Sequence, residues 1–149
     1  MFNRQPKVST ELLALTYGVF VTKLLREAND HSPEEVNQQL DQIGYNMGCR
    51  MIDEFFARQL PQQGHCKDFK QTMEQLTKQG FKMFLGVVPE LTDWKDNKQC
   101  NLVMKENPLA DFVVLPPHFK AELWYSNVIA GIIRGALEMI NLKVKVFFI

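Results

Sequence analysis

The 149-residue chain holds three cysteines, Cys49, Cys66 and Cys100, with no Cys-x-x-Cys pair. No His-x-x-x-His interval links His31, His65 and His118 either, so no recognised metal-ligand spacing is present. An odd cysteine count, with no apolar core to a leader in "MFNRQPKVST", points to a reducing compartment and argues against a disulfide framework. Neither Gly-x-x-x-x-Gly-Lys nor Gly-x-Gly-x-x-Gly occurs, so no glycine-rich loop is available to cradle a phosphate. Charge of one sign is missing as well: Lys plus Arg and Asp plus Glu are 17 each, leaving no net field to draw nucleic acid or an anionic bilayer. No stretch reaches the roughly 18 uncharged apolar residues of a membrane span. Repeats and low-complexity tracts are absent. What remains is a neutral, soluble, cytosolic chain whose length suits a single domain, residues 1–149.

Periodicity then supplies the elements. "STELLALTYGVFVTKLLREAND" predicts a first helix capped by Ser9 or Thr10, with an apolar arc wide enough for burial on more than one side. In the second helix, "HSPEEVNQQLDQIGYNMGCRMIDEFFARQL", Ser32, Pro33 and Glu35 form a start signal and Pro61 a stop. Gly44 and Gly48 lie four apart on one of its faces, at a cost of about 1 kcal/mol each against alanine. A backbone packed closely against that face would explain them. After the "PQQGH" turn, "DFKQTMEQLTKQGFKMFLG" predicts a third helix with Met73, Leu76, Gly80 and Phe84 in one stripe. "GVVPELTDW" and "CNLVMKENP" predict short strands joined by "KDNKQ", and "LADFVVLPPHF" an irregular segment. "KAELWYSNVIAGIIRGALEMINL" predicts a long fourth helix with its own glycine pair, Gly131 and Gly135. The alternating "KVKVFFI" predicts a strand joining a sheet. The order implies an α+β fold, helices packed on one face of a small antiparallel sheet.

Cys66 is the one candidate for chemistry. A cysteine hydrolase would pair it with His65, His31 or His118, but no nucleophile signature surrounds it and adjacent side chains rarely face each other. At the cap of the third helix, unpaired amides, the macrodipole and the neighbouring Lys67 and His65 predict a depressed thiol pKa. On residues alone, a reactive thiol and an ordinary surface cysteine both remain open.

The stretches "GYNMGCRMIDEFFAR", "GHCKDF", "FKMFLGVVPELTDW", "VMKENPLADFVVLP" and "YSNVIAGIIRGALEMINL" resemble, in order and spacing, the small subunits of the transport protein particle (TRAPP), in its Bet-three family. The likeness runs from about Ser9 to about Leu142. It implies an α/β-plait fold and a non-catalytic scaffold that forms homo- or heterodimers with other TRAPP subunits. Such dimers build a vesicle-tethering complex for endoplasmic-reticulum-to-Golgi transport, peripheral at the cis-Golgi and endoplasmic reticulum, and the assembled complex exchanges guanine nucleotide on a Rab GTPase. It also implies a palmitoyl or similar fatty acyl group on Cys66, lying in an internal apolar channel lined by Met73, Leu76, Gly80 and Phe84. A module exchanging free fatty acid through the same channel is the alternative. The wide apolar arcs of the first two helices place a dimer surface at Leu12, Leu15, Val19, Leu40, Ile43 and Met47. Family members continue past "KVKVFFI" with a turn, a further strand and a polar tail, so this domain reads as shortened at its C-terminal strand.

Overall fold

A computed structural model describes residues 7–28, 32–58, 66 and 68–148. The fold is α+β, as the element order predicts. The chain groups into two compact units, residues 1–56 with 109–149, and residues 57–108.

The first unit is helical. Helix α1 (Thr10–Glu27) starts where the Leu12 amide donates to Ser9 Oγ at 3.1 Å, and its inner face is Ala14, Tyr17 and Val21. Helix α2 (Pro33–Arg58) buries Val36, Leu40 and Phe55. Its glycines have the predicted cause. A Cβ on Gly44 would collide with the Val128 carbonyl, and one on Gly48 with that of Ile132. The opposing pair answers in kind, since Gly131 would strike the Asp41 carbonyl and Gly135 that of Tyr45. Two backbones therefore cross in direct contact through four missing side chains. Across this crossing Arg134 pairs with Asp41 and lies 4.6 Å from the Tyr45 ring centre.

The partner of α2 is shorter than expected. The segment 120–126 is turns, and the helix proper spans Asn127–Met139. Asn37 is the reason. Its side-chain amide donates to the Glu122 carbonyl at 2.7 Å, and its Oδ1 accepts from the Trp124 amide at 2.8 Å. Tyr17 takes the Tyr125 carbonyl at 2.6 Å. Side chains distant in sequence thus satisfy backbone groups that would otherwise demand a helix. The C-terminal end stops at Asn141, in the left-handed region at φ 64°; the Leu142 amide bonds to the Leu137 carbonyl (2.9 Å), closing a Schellman turn.

The predicted strand at 143–149 is corrected too. Residues 143–148 keep the alternation, with Lys143, Lys145 and Phe147 exposed and Val144, Val146 and Phe148 half-buried, but form no ladder among the described residues. Alternation selects a face; a strand also needs a hydrogen-bonded neighbour.

The second unit contains helix α3 (Phe69–Gln75), a π-helical turn (Leu76–Phe81), the single turn α4 (Lys82–Phe84) and a hairpin of β1 (Glu90–Lys95) and β2 (Gln99–Val103). The strands are antiparallel, pairing Glu90 with Val103, Leu91 with Leu102 and Thr92 with Asn101. The predicted polar turn closes them with Asp96 and Asn97 both at positive φ, the conformation of a type I′ hairpin. A bulge at Asp93 shifts the register before Lys95. The helix is tied to the hairpin by Phe69, edge-on to Trp94 at 6.2 Å, with the Lys70 ammonium 5.8 Å from the same indole. The C-terminal helix of the first unit, Asn127–Met139, is α5 from here on.

Candidate functional site

Cys66 is a free, half-buried thiol. It precedes α3, but the cap expected of it belongs to Asp68, whose carboxylate accepts from the Gln71 amide at 2.8 Å while its carbonyl accepts from the Thr72 amide at 3.1 Å. The anion on the helix N-terminus is therefore Asp68, and the thiol stands two residues outside it. This corrects the reading of Cys66 as the capping anion. His31, His65, Lys67 and the Pro61 stop lie outside the described residues; His118 is exposed and stacks on Phe119 at 4.1 Å.

Below Cys66 the inner stripe differs from straight helical spacing. Met73 and Gly80 are buried as expected, whereas Leu76 and Phe84 are only half-buried. Thr77, 2 % exposed, and Phe81, 6 % exposed, take the deeper positions. The π turn is responsible: it inserts one extra residue, setting later residues back about 100° around the axis and moving Phe84 off the stripe. Thr77 Oγ1 donates back to the Met73 carbonyl at 3.1 Å, with the Glu74 carbonyl 3.2 Å away. Thr22 makes the same i−4 bond, to the Gly18 carbonyl, in the regular helix α1; Thr77 differs in reaching the Glu74 carbonyl at i−3 as well. Gly80 differs in kind from the crossing glycines. A Cβ there would meet only Leu76 Cδ1, at 3.6 Å, so no neighbour forbids a side chain.

Of the residues assigned to a dimer surface, Leu12, Leu15, Val19 and Met47 are exposed and Ile43 is half-buried. Leu40 is fully buried inside the chain and is unavailable to any partner, a correction that follows from its place opposite the outer face of α2. Among the described residues no group of three His, Cys, Asp or Glu side chains could hold a metal ion, and no helix is long and apolar enough to cross a membrane.

An α+β chain with a glycine-crossed helix pair and a half-buried thiol ahead of a helix with an apolar inner face has known counterparts. Residues 13–148 match the family model described as transport protein particle (TRAPP) component. The chain belongs to that family. Trafficking protein particle complex subunit 3 of Dictyostelium discoideum is 47 % identical over 100 % of this chain and 78 % of its own length. Subunit BET3 of Saccharomyces cerevisiae is 43 % identical over 99 % of this chain and 75 % of its own length. Among solved structures, a trafficking protein particle complex subunit 3 from Naegleria fowleri, covalently bound to palmitic acid, is similar at a TM-score of 0.83 and 45 % identity, covering 91 % of this chain and 82 % of that one.

Proposed function

We propose that this chain is a non-catalytic scaffold subunit of a TRAPP vesicle-tethering complex that carries one long acyl chain as a thioester on Cys66. The observation that carries the reading is the covalently bound palmitic acid of the Naegleria relative, taken with a half-buried free thiol just ahead of a helix with an apolar inner face. In the acylation step the Cys66 thiolate forms an Sγ–C bond to the carbonyl of an acyl thioester donor. The donor's C–S bond breaks, its sulfur leaves as a thiolate, and a proton from solvent completes it as the thiol.

The chain would run along the face of Met73, Thr77, Gly80 and Phe81. At about 0.8 kcal/mol per buried methylene, a long acyl group contributes on the order of 10 kcal/mol. That rivals the whole stability of a domain, about 5–15 kcal/mol. The lipid then acts as core and is withheld from a bilayer, so membrane association is peripheral and comes through the assembly. The same reading assigns the outer stripe of α1 to another TRAPP subunit or a second copy. Rab nucleotide exchange in endoplasmic-reticulum-to-Golgi transport belongs to the assembled complex, and the isolated chain is expected to accelerate no release.

Intact mass spectrometry tests the lipid. Wild type is expected to exceed its sequence mass by one acyl chain, removed by neutral hydroxylamine and absent from Cys66→Ser. Loss of the added mass on delipidation without hydroxylamine would replace the thioester with a freely exchanging fatty acid. An unmodified wild type would overturn both.

A further inference from the structure

Two features of the α3 region remain unexplained by acylation of Cys66 alone. One is the π turn itself, a rare conformation found mostly as a single wide turn inside an α-helix and often at functional sites. It occupies Leu76–Phe81, within the face of Met73, Thr77, Gly80 and Phe81 that the acyl chain would follow. The other is a polar side chain at the deepest position of that stripe: Thr77, 2 % exposed, among Met73, Gly80 and Phe81. A buried hydroxyl has to spend its proton, and this one spends it on the Met73 carbonyl (3.1 Å), with the Glu74 carbonyl next to it at 3.2 Å. The Leu76 amide is already shared between the Thr72 and Met73 carbonyls. At the entrance to the wide turn a side chain therefore donates to backbone carbonyls on the turn before it.

The consequence is geometric. With the turn in place, Thr77, Gly80 and Phe81 all lie on the buried side, and Gly80 presents a bare backbone whose nearest neighbour at the Cβ position is a flexible leucine methyl 3.6 Å away. Relaxing the π turn to α would advance Phe81 and everything after it by about 100° relative to Met73. The half-buried Phe84 would then swing onto the stripe that Gly80 leaves open.

We propose that Thr77 is a positioning residue for the acyl chain: it holds the π turn, and the turn sets how long a chain the inner face of α3 accepts. This rests on the acylation of Cys66 proposed above.

The test reads the acyl-length distribution on the full chain purified from expressing cells, by intact mass. Thr77→Val keeps the shape and removes the donor. It is expected to lower the acylated fraction severalfold and to shift the remainder to shorter chains, while Thr77→Ser restores both. Thr77→Ala, which also lacks the donor and adds no bulk, replaces the valine variant if that fails to accumulate folded. Val21→Ala, a core truncation on α1 in the other compact unit, lowers stability and is expected to keep the wild-type distribution. An acylated wild type whose distribution is unchanged in Thr77→Val or Thr77→Ala overturns this inference alone. A shift of equal size in Val21→Ala overturns it too, by assigning the effect to stability. A wild type without acyl mass overturns the acylation reading and this inference together.

Discussion

Two tyrosines decide how the helical unit responds to alkali. Tyr17 and Tyr125 meet edge to face with ring centres 5.2 Å apart, and the Tyr17 hydroxyl donates to the Tyr125 carbonyl. The Tyr125 hydroxyl is buried with no hydrogen-bond partner among the described residues, 3.3 Å from where a Cβ on Gly18 would lie. Burial pushes both phenols above their ordinary value of 10.0, and for Tyr17 the proximity of Tyr125 adds to it. A neutral phenol is thus favoured in the folded chain. Below pH of about 10 both states are protonated and this contribution is fully present. Above it the unfolded chain releases the proton first, so stability falls as pH rises towards the folded value, by at most about 1.4 kcal/mol per pH unit for each tyrosine. Urea unfolding between pH 8.5 and 11 should show that decline. Tyr17→Phe should flatten it while costing about 1 kcal/mol at neutral pH through the lost bond. Identical alkaline slopes in the two proteins would refute the assignment.

At the scale of elements, the crossing of α2 and α5 is the most demanding contact in the fold. Gly131→Ala places a methyl group inside the Asp41 carbonyl, and because the obstacle is backbone, the helices must separate to admit it. Overpacking of side chains costs about 1–3 kcal/mol, and a rigid backbone obstacle belongs at or above the top of that range. A loss below about 1 kcal/mol in chemical denaturation would mean that the helices part easily and that the glycines serve another purpose. This crossing was legible in the sequence, because glycines four apart in a helix carry a penalty that only close approach repays. The caps at Ser9 and Ser32 and the Asp-Asn hairpin were legible for a similar reason: each is written in a few consecutive residues. What failed was decided at long range. The helical pattern through 120–126 loses to Asn37 and Tyr17, over 80 residues away in sequence, and the alternation at 143–148 cannot provide its own pairing partner. At the site, the motif singles out Cys66, while the cap falls two residues later, at Asp68. Straight helical spacing draws the inner stripe through Leu76 and Phe84, because a π turn leaves no period of its own in the sequence.

For the whole molecule, the question is which surface takes part in assembly. Helix α1 is apolar on two opposite faces. Ala14, Tyr17 and Val21 face the core, while Leu12, Leu15 and Val19, spaced i, i+3 and i+7, remain 58 %, 59 % and 72 % exposed. Balanced charge gives no long-range steering, so the attraction of the proposed subunit contact has to come from burial. Complete burial of one such side chain is worth about 1.5–3 kcal/mol, and these are already partly covered, so about 1–2 kcal/mol each remains to be gained. Replacing Leu15 and Val19 with aspartate removes that gain and adds two charges to be desolvated, an expected loss of at least about 3 kcal/mol, or more than 100-fold in affinity. Both positions point away from the core, so the variant should keep the thermal stability of the isolated subunit. Sedimentation analysis and co-purification with another TRAPP subunit read the outcome. Association lost at unchanged stability places the contact on α1, and association retained moves it to a different face of the molecule.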